Sequence, residues 1–144
     1  MVSRKHSLLQ WERDWLITCS IEFFTFAEYF TKLGNTRTCI GNLGKLFGED
    51  IPIRIGGTTQ DRALYDPKLQ TEVNYYVASP KDAPANLTYG PSYIDLAATL
   101  PNNVTFGVNR RLNEQNNSAS AAKYAFDNMD NLYAIELGLS LIHI

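Results

Sequence analysis

Apolar and polar positions along the chain predict four strands. Between residues 18 and 24, apolar side chains occupy every second position, a period that is typical of a strand. The β-branched run at 51–57 contains an early proline and ends in two glycines, which favours a buried strand followed by a tight turn. Two further runs, at 103–109 and 131–138, predict the third and fourth strands.

Helical spacing separates these strands. Residues 35–47 place apolar side chains on one helical face, although two glycines weaken that helix by about 1 kcal/mol each. Residues 91–98 predict a short helix with Ser92 as its N-cap. Residues 118–129 predict an alanine-rich helix that is capped by Ser118.

The order of these elements predicts an α/β fold. Strands that alternate with helices favour a parallel sheet with right-handed crossovers. Residues 58–92 interrupt the alternation with a long excursion that holds four of the six prolines, as in functional or disordered loops. In α/β folds the chemistry gathers at the carboxyl ends of the strands. Those ends are expected after Glu22, Ile55, Asn109 and Leu137.

Composition and charge exclude several classes of protein. The chain has 144 residues, of which 44% are hydrophobic, and a formal net charge of −2. The apolar content is too high for a disordered chain, and the charge is too balanced for a nucleic-acid binder. The sequence has no apolar run long enough to predict a membrane span. The length fits one domain, whereas a complete eight-fold βα barrel needs about 250 residues.

Cysteine and histidine usage predicts neither a metal site nor a cofactor. Cys19 and Cys39 fall in no metal-ligand spacing, and we interpret both as packing residues. His6 and His143 are interpreted as solvated side chains. Charged residues interrupt the apolar run near the N-terminus, so no signal peptide is visible there.

Short polar side chains follow the Gly56-Gly57 pair. Glycine lets the backbone turn sharply and lets a ligand approach closely, and Thr58 and Asp61 could hydrogen-bond sugar hydroxyls. No phosphate-binding motif accompanies them, which argues against a nucleotide site. The alternative is that the glycines form a simple turn and Asp61 is only a local cap.

Three charged residues occupy predicted strands. Burying an unpaired charge is costly, so Glu22 and Arg54 either form a carboxylate–guanidinium arrangement or one of them faces solvent at an edge. Glu136 is assigned to packing within the sheet. One carboxylate without a facing partner cannot cleave a glycoside by the usual two-carboxylate route.

Five segments, taken together and in order, resemble glycoside hydrolase family 79. The most specific segment reads Ile-Gly-Gly-Thr-Thr-Gln-Asp within residues 52–67. The similarity covers about residues 17–138 of this chain. The family contains fungal and bacterial β-glucuronidases and is related to heparanase. The five segments are 18–26, 52–67, 89–93, 104–109 and 132–138.

The resemblance implies a secreted, retaining β-glucuronidase that acts on glucuronic-acid-containing glycans or glycosides, with no cofactor, nucleic acid or membrane as partner. Its fold would be a (β/α)8 TIM barrel, of which this chain supplies roughly the first four βα units. In the family the acid/base glutamate follows the fourth strand directly, and the nucleophile lies on a later strand. Residues 139–144 read Leu-Ser-Leu-Ile-His-Ile instead, so no catalytic residue is assigned and the chain is expected to be inactive.

The same resemblance implies four substrate-binding residues. Glu22 matches the acidic residue of the first strand, and Thr58 and Asp61 match the Gly-Gly-Thr-x-x-Asp loop. These positions resemble those that bind the sugar. Asn109, at the end of the third strand, is the fourth candidate.

The resemblance also divides the chain into a lead-in at 1–16, a barrel part at 17–138 and a non-native tail at 139–144. The tail resembles the translation of a transposon end used in sequencing libraries. Two alternatives stay open beside the glycosidase fragment. The chain is either a non-catalytic carbohydrate-binding protein or a half barrel that cannot fold stably, because open sheet edges expose unpaired backbone groups.

Overall fold

The structure is a computed structural model that describes residues 18–79 and 81–139. The predicted lead-in, most of the predicted tail, and the interpretations of His6 and His143 lie outside the described residues. In chain order the described elements are β1 (Cys19–Glu22), α1 (Phe23–Thr31), α2 (Thr36–Phe47), β2 (Ile53–Gly56), a 3₁₀ helix (Thr58–Arg62), β3 (Ala63–Tyr65), β4 (Val73–Tyr75), β5 (Leu87–Tyr89), α3 (Pro91–Ala98), β6 (Val104–Val108), α4 (Gln115–Asn128) and β7 (Leu132–Leu137).

The four longer strands form one parallel sheet in the order β1-β2-β6-β7. At least one helix lies in each connection between consecutive strands of this sheet, as parallel pairing requires. The α/β prediction with a parallel sheet is therefore confirmed.

One face of this sheet is polar. The register places Arg54 beside Thr105 and Gly107 beside Glu136. Because side chains alternate along a strand, Glu22, Arg54, Thr105 and Glu136 all project from the same side. We call this side the polar face.

The opposite face of the sheet carries the hydrophobic core. Aromatic rings fill its centre, where Phe23 stacks on Tyr93 at 4.8 Å between ring centroids and meets Tyr89 edge-on at 5.0 Å. The Tyr93 hydroxyl donates a 2.5 Å hydrogen bond to the Phe23 carbonyl, which satisfies both groups inside the core. Ala121 and Ala125 of α4 are fully buried, so this helix packs closely on the sheet.

The first predicted strand is too long. It ends at Glu22, and α1 begins at Phe23. Phe23, Phe26 and Ala27 are buried along α1 at helical spacing. The segment is helical despite its alternating sequence, because only a helix places all three of these side chains in the core.

The prediction of an irregular excursion at 58–92 is wrong. The segment contains the 3₁₀ helix and a second, three-stranded sheet in the order β3-β5-β4. Each of these strands has three residues, too few to show a period of two in the sequence.

Both predicted serine caps are wrong, although both helices exist. Helix α3 begins at Pro91 after Gly90, because proline suits a first helical position. Helix α4 begins at Gln115, so Ser118 lies inside it, where its hydroxyl donates to the Asn109 carbonyl at 2.5 Å.

Two further expectations concern α2 and the cysteines. Helix α2 confirms the predicted helix at 35–47. Cys19 packs against the core as expected, whereas Cys39 is exposed, so its interpretation as a packing residue is wrong; both thiols are free. None of the helices in the described ranges has the length and apolar character needed to cross a bilayer.

Candidate functional site

Glu22 stands where β1 ends and α1 begins. Its Oε1 accepts hydrogen bonds from the Thr59 backbone N–H at 2.7 Å and from the Thr59 hydroxyl at 2.6 Å. The Thr59 Oγ1 in turn accepts the Phe24 N–H at 3.2 Å. A carboxylate has about four acceptor positions, so Glu22 keeps capacity for a ligand hydroxyl.

Gly57 makes this arrangement possible. Its φ of +101° and ψ of −169° belong to a backbone region that is essentially restricted to glycine. A Cβ at this position would also collide with the Glu22 carboxylate. Thr58 follows and is exposed beside this contact. The structure thus brings Glu22 to the loop that the sequence singled out, through Thr59 rather than Thr58.

Arg54 and Glu136 form a bidentate ion pair across the polar face. The Arg54 Nε and Nη2 atoms each donate to a Glu136 carboxylate oxygen at 2.6 Å, and Nη1 donates to the Ser20 hydroxyl at 3.0 Å. Strand β6 lies between the two strands that carry them. The Glu136 hydrogen bond raises the pKa of Arg54 above its ordinary value, against an opposing effect of burial. Arg54 therefore pairs with Glu136, not with Glu22 as one sequence interpretation had it.

Gln60 lies beneath this site and was not singled out by the sequence. Its side chain is fully buried, and its Oε1 accepts the Gly57 N–H at 3.1 Å. A Cβ at Gly56 or at Gly107 would collide with the Gln60 amide, so neighbouring strands leave room for it. Among the described residues its Nε2 has no hydrogen-bond partner. The sequence signal for this contact was Gly107, because a glycine within a strand often marks a site where another group approaches the backbone closely.

Asp61 holds backbone groups that are distant in the sequence. Its Oδ1 accepts the N–H groups of Arg110 at 3.1 Å and Arg111 at 3.2 Å, and its Oδ2 accepts the N–H of Leu139 at 3.0 Å. The interpretation of Asp61 as only a local cap is therefore wrong. Its contact with a sugar stays a prediction.

Asn109 is 4% exposed and uses both ends of its amide within the protein. Its Nδ2 donates to the Ala63 carbonyl at 3.1 Å, and its Oδ1 accepts the Leu112 N–H at 2.9 Å. These bonds join the end of β6 to β3 and shape the following loop. Its contact with a sugar also stays a prediction.

The candidate residues thus gather at one edge of the parallel sheet. Glu22, residues 57–61, residues 109–111 and residues 138–139 follow the carboxyl ends of β1, β2, β6 and β7, and we call this edge the rim. Carboxylate, hydroxyl, amide and guanidinium groups lie along it, a chemistry that suits a ligand rich in hydroxyl groups. Within the two described ranges, no group of three His, Cys, Asp or Glu side chains could hold a metal ion.

Comparison with known proteins finds relatives of part of the chain. No protein-family model matches the chain. The β-glucuronidase of Aspergillus niger is 36% identical over 91 residues, which cover 59% of this chain and 17% of that protein. The β-glucuronidase of Neurospora crassa is 36% identical over 89 residues, which cover 57% of this chain and 16% of that protein. The chain thus spans under a fifth of the length of these curated relatives.

A solved structure extends the similarity. The crystal structure of a 4-O-α-L-rhamnosyl-β-D-glucuronidase from Fusarium oxysporum 12S, in complex with Rha-GlcA, matches with a TM-score of 0.82 and 49% identity. The match covers 87% of this chain and 27% of that one. The chain is therefore similar, in sequence and in fold, to part of glucuronidase-type glycoside hydrolases.

Proposed function

We propose that the chain is the N-terminal part of a retaining β-glucuronidase-like hydrolase of glycoside hydrolase family 79. The match to a glucuronidase structure at 49% identity over 87% of the chain carries this proposal. The parallel order β1-β2-β6-β7 supports a second step, in which these strands are the first four of a (β/α)8 barrel. In that barrel the polar face points inward and the helices lie outside.

The substrate class we propose is a glucuronic-acid-containing glycan or glycoside. Glu22 and Thr58 contact the sugar directly, and Asp61 and Asn109 complete the rim around it. Glu22 suits this role because two hydrogen bonds from Thr59 already fix its carboxylate, so little order has to be gained on binding. The Fusarium relative was solved with Rha-GlcA, which favours a glucuronide that carries a 4-O-rhamnosyl group.

The 144-residue chain alone is proposed to be inactive. Retaining hydrolysis needs two carboxyl groups about 5–5.5 Å apart, one as acid/base and one as nucleophile. Glu136 is engaged by Arg54, and Glu22 is assigned to the sugar, so neither is proposed for these roles. The catalytic glutamates belong to later parts of a longer, secreted protein.

Hydrolysis assays on the protein encoded by the complete reading frame test this proposal. We expect cleavage of a rhamnosyl-glucuronide or of a simple aryl β-glucuronide. Glu22→Gln should lower kcat/KM by roughly 10-fold to 100-fold, because hydrogen bonds to charged groups contribute about 1.5–3 kcal/mol. Glu49→Gln is the matched control, since Glu49 is exposed and precedes the amino end of β2. Absence of glucuronidase activity in the complete protein would contradict the proposal.

The alternative is a non-catalytic carbohydrate-binding protein, which the ion pair between Glu136 and Arg54 favours, because it engages that carboxylate within the protein. Isothermal titration of the 144-residue chain with glucuronic acid separates the two functions. The hydrolase fragment predicts no measurable binding, because half of its site is missing. Saturable binding that Glu22→Gln abolishes and Glu49→Gln preserves would favour the alternative.

A further inference from the structure

The Asp61 carboxylate accepts three backbone hydrogen bonds from two other strand ends. Oδ1 takes the N–H groups of Arg110 and Arg111, which follow β6, and Oδ2 takes that of Leu139, which follows β7. Asp61 itself belongs to the 3₁₀ helix after β2. One side chain therefore joins the carboxyl ends of three strands.

The backbone after β7 is shaped to reach this carboxylate. Gly138 has a φ of +71°, which glycine adopts without strain, and its N–H donates to the Val108 carbonyl at 3.0 Å. A Cβ at this position would lie 2.7 Å from the Arg110 Cβ and 3.0 Å from the Asp61 Oδ1. The close approach of β6, β7 and Asp61 thus depends on glycine at 138.

The number of bonds limits what else Asp61 can do. Three of about four acceptor positions are occupied by backbone donors, and the two oxygens point to different loops. Each bond joins a charged acceptor to a neutral donor, the stronger class of hydrogen bond. The carboxylate is thus largely committed to the protein itself.

We propose that Asp61 is a positioning residue whose carboxylate sets the carboxyl ends of β6 and β7 relative to that of β2. It acts on the rim through the backbone groups that its carboxylate holds. The role of the rim in sugar binding rests on the proposed function, whereas the positioning itself does not. Since parallel α/β proteins carry their chemistry at these strand ends, a shift of β7 here would displace whatever follows it.

Amide proton NMR of the ¹⁵N-labelled 144-residue chain tests the proposal. In Asp61→Asn, the amide proton signals of residues 110, 111 and 139 should move from their wild-type positions, because all three N–H groups donate to the carboxylate that the substitution replaces. The matched control is Asp66→Asn, because within residues 18–79 and 81–139 the Asp66 carboxylate accepts a hydrogen bond only from the nearby Lys68 N–H.

Hydrogen exchange supplies the second readout. The Asp61→Asn side chain keeps one acceptor oxygen, so either Leu139 or the Arg110 and Arg111 pair should lose protection, with exchange roughly tenfold faster or more. Amides of Ile21 and Ile55 in β1 and β2 should keep their wild-type rates. Asp66→Asn should change neither the protection of the Leu139 amide nor that of the Arg110 and Arg111 amides.

Three outcomes would overturn the proposal. They are unchanged amide proton signals of residues 110, 111 and 139 in Asp61→Asn, unchanged protection of all three in that variant, and an equal loss of protection throughout the sheet. The last outcome would mean that Asp61 supports global stability only. Neither readout uses a sugar, so failure of the proposed function leaves this test decisive.

Discussion

The ion pair between Arg54 and Glu136 gives a quantitative prediction about the polar face. Glu136→Gln removes the negative charge and keeps one acceptor oxygen for the guanidinium. The pair makes two contacts of 2.6 Å, and its side chains are 23% and 26% exposed. Breaking a fully buried pair costs roughly 3–5 kcal/mol, and an exposed pair contributes at most about 1 kcal/mol. For this intermediate exposure we expect the free energy of unfolding to fall by about 2 kcal/mol.

Urea denaturation followed by circular dichroism measures this change in a double-mutant cycle. The cycle compares Arg54→Met, Glu136→Gln and the double variant with the wild type, and we expect a coupling energy of about 1–2 kcal/mol. Asp127→Asn is the control, because the Lys123–Asp127 pair has side chains that are 75% and 47% exposed. It should change stability by less than about 0.5 kcal/mol. A coupling energy near zero, or equal effects of Glu136→Gln and Asp127→Asn, would refute the reasoning.

Three further predictions use the same denaturation assay. Gly57→Ala should lower stability by roughly 2 kcal/mol or more, because its backbone region excludes other residues and the methyl group meets the Glu22 carboxylate. Gly41→Ala, at an open helical position, should instead raise stability by up to about 1 kcal/mol, and the opposite order would contradict both assignments. Tyr93→Phe should cost about 1–2 kcal/mol, since the Phe23 carbonyl loses its donor; a neutral effect would count against that hydrogen bond. Burial raises the pKa of Tyr93 well above its ordinary value, so its neutral form is the stable one in the fold. The free energy of unfolding should therefore stay constant with pH below about pH 10 and fall above it, because the unfolded chain then loses the tyrosine proton first. The fall should be less steep in Tyr93→Phe than in the wild type. A free energy of unfolding that stays constant up to about pH 11 would contradict this prediction.

The sequence predicted the architecture of the sheet well, because long apolar runs carry a strong signal. The runs around Ile53, Val104 and Leu132 all became strands of the parallel sheet. The boundary at Phe23 was missed, since its alternation in sequence fitted a strand and its helical face appears only in the packed core. The three-stranded sheet was missed because its strands are too short for a pattern.

The sequence predicted that Glu22, Thr58 and Asp61 lie near the carboxyl ends of strands, where the structure also has them, but it did not identify the hydrogen-bond partners of Glu22 and Asp61. Asp61 bonds to Leu139 across 78 positions, and Arg54 bonds to Glu136 across 82. Such pairings depend on strand order and register, which a single sequence does not reveal. Glu22 was considered beside Arg54 because both are charged strand residues, whereas a backbone N–H and a hydroxyl of Thr59 satisfy it.

Genomic DNA beyond the codon for Gly138, read from an independent clone, tests the proposal of a truncated glucuronidase barrel most directly. The proposal predicts that the reading frame continues there as Asn-Glu-Pro, the segment that carries the acid/base glutamate in family 79. A frame that ends after Ile144 in that clone would contradict the proposal.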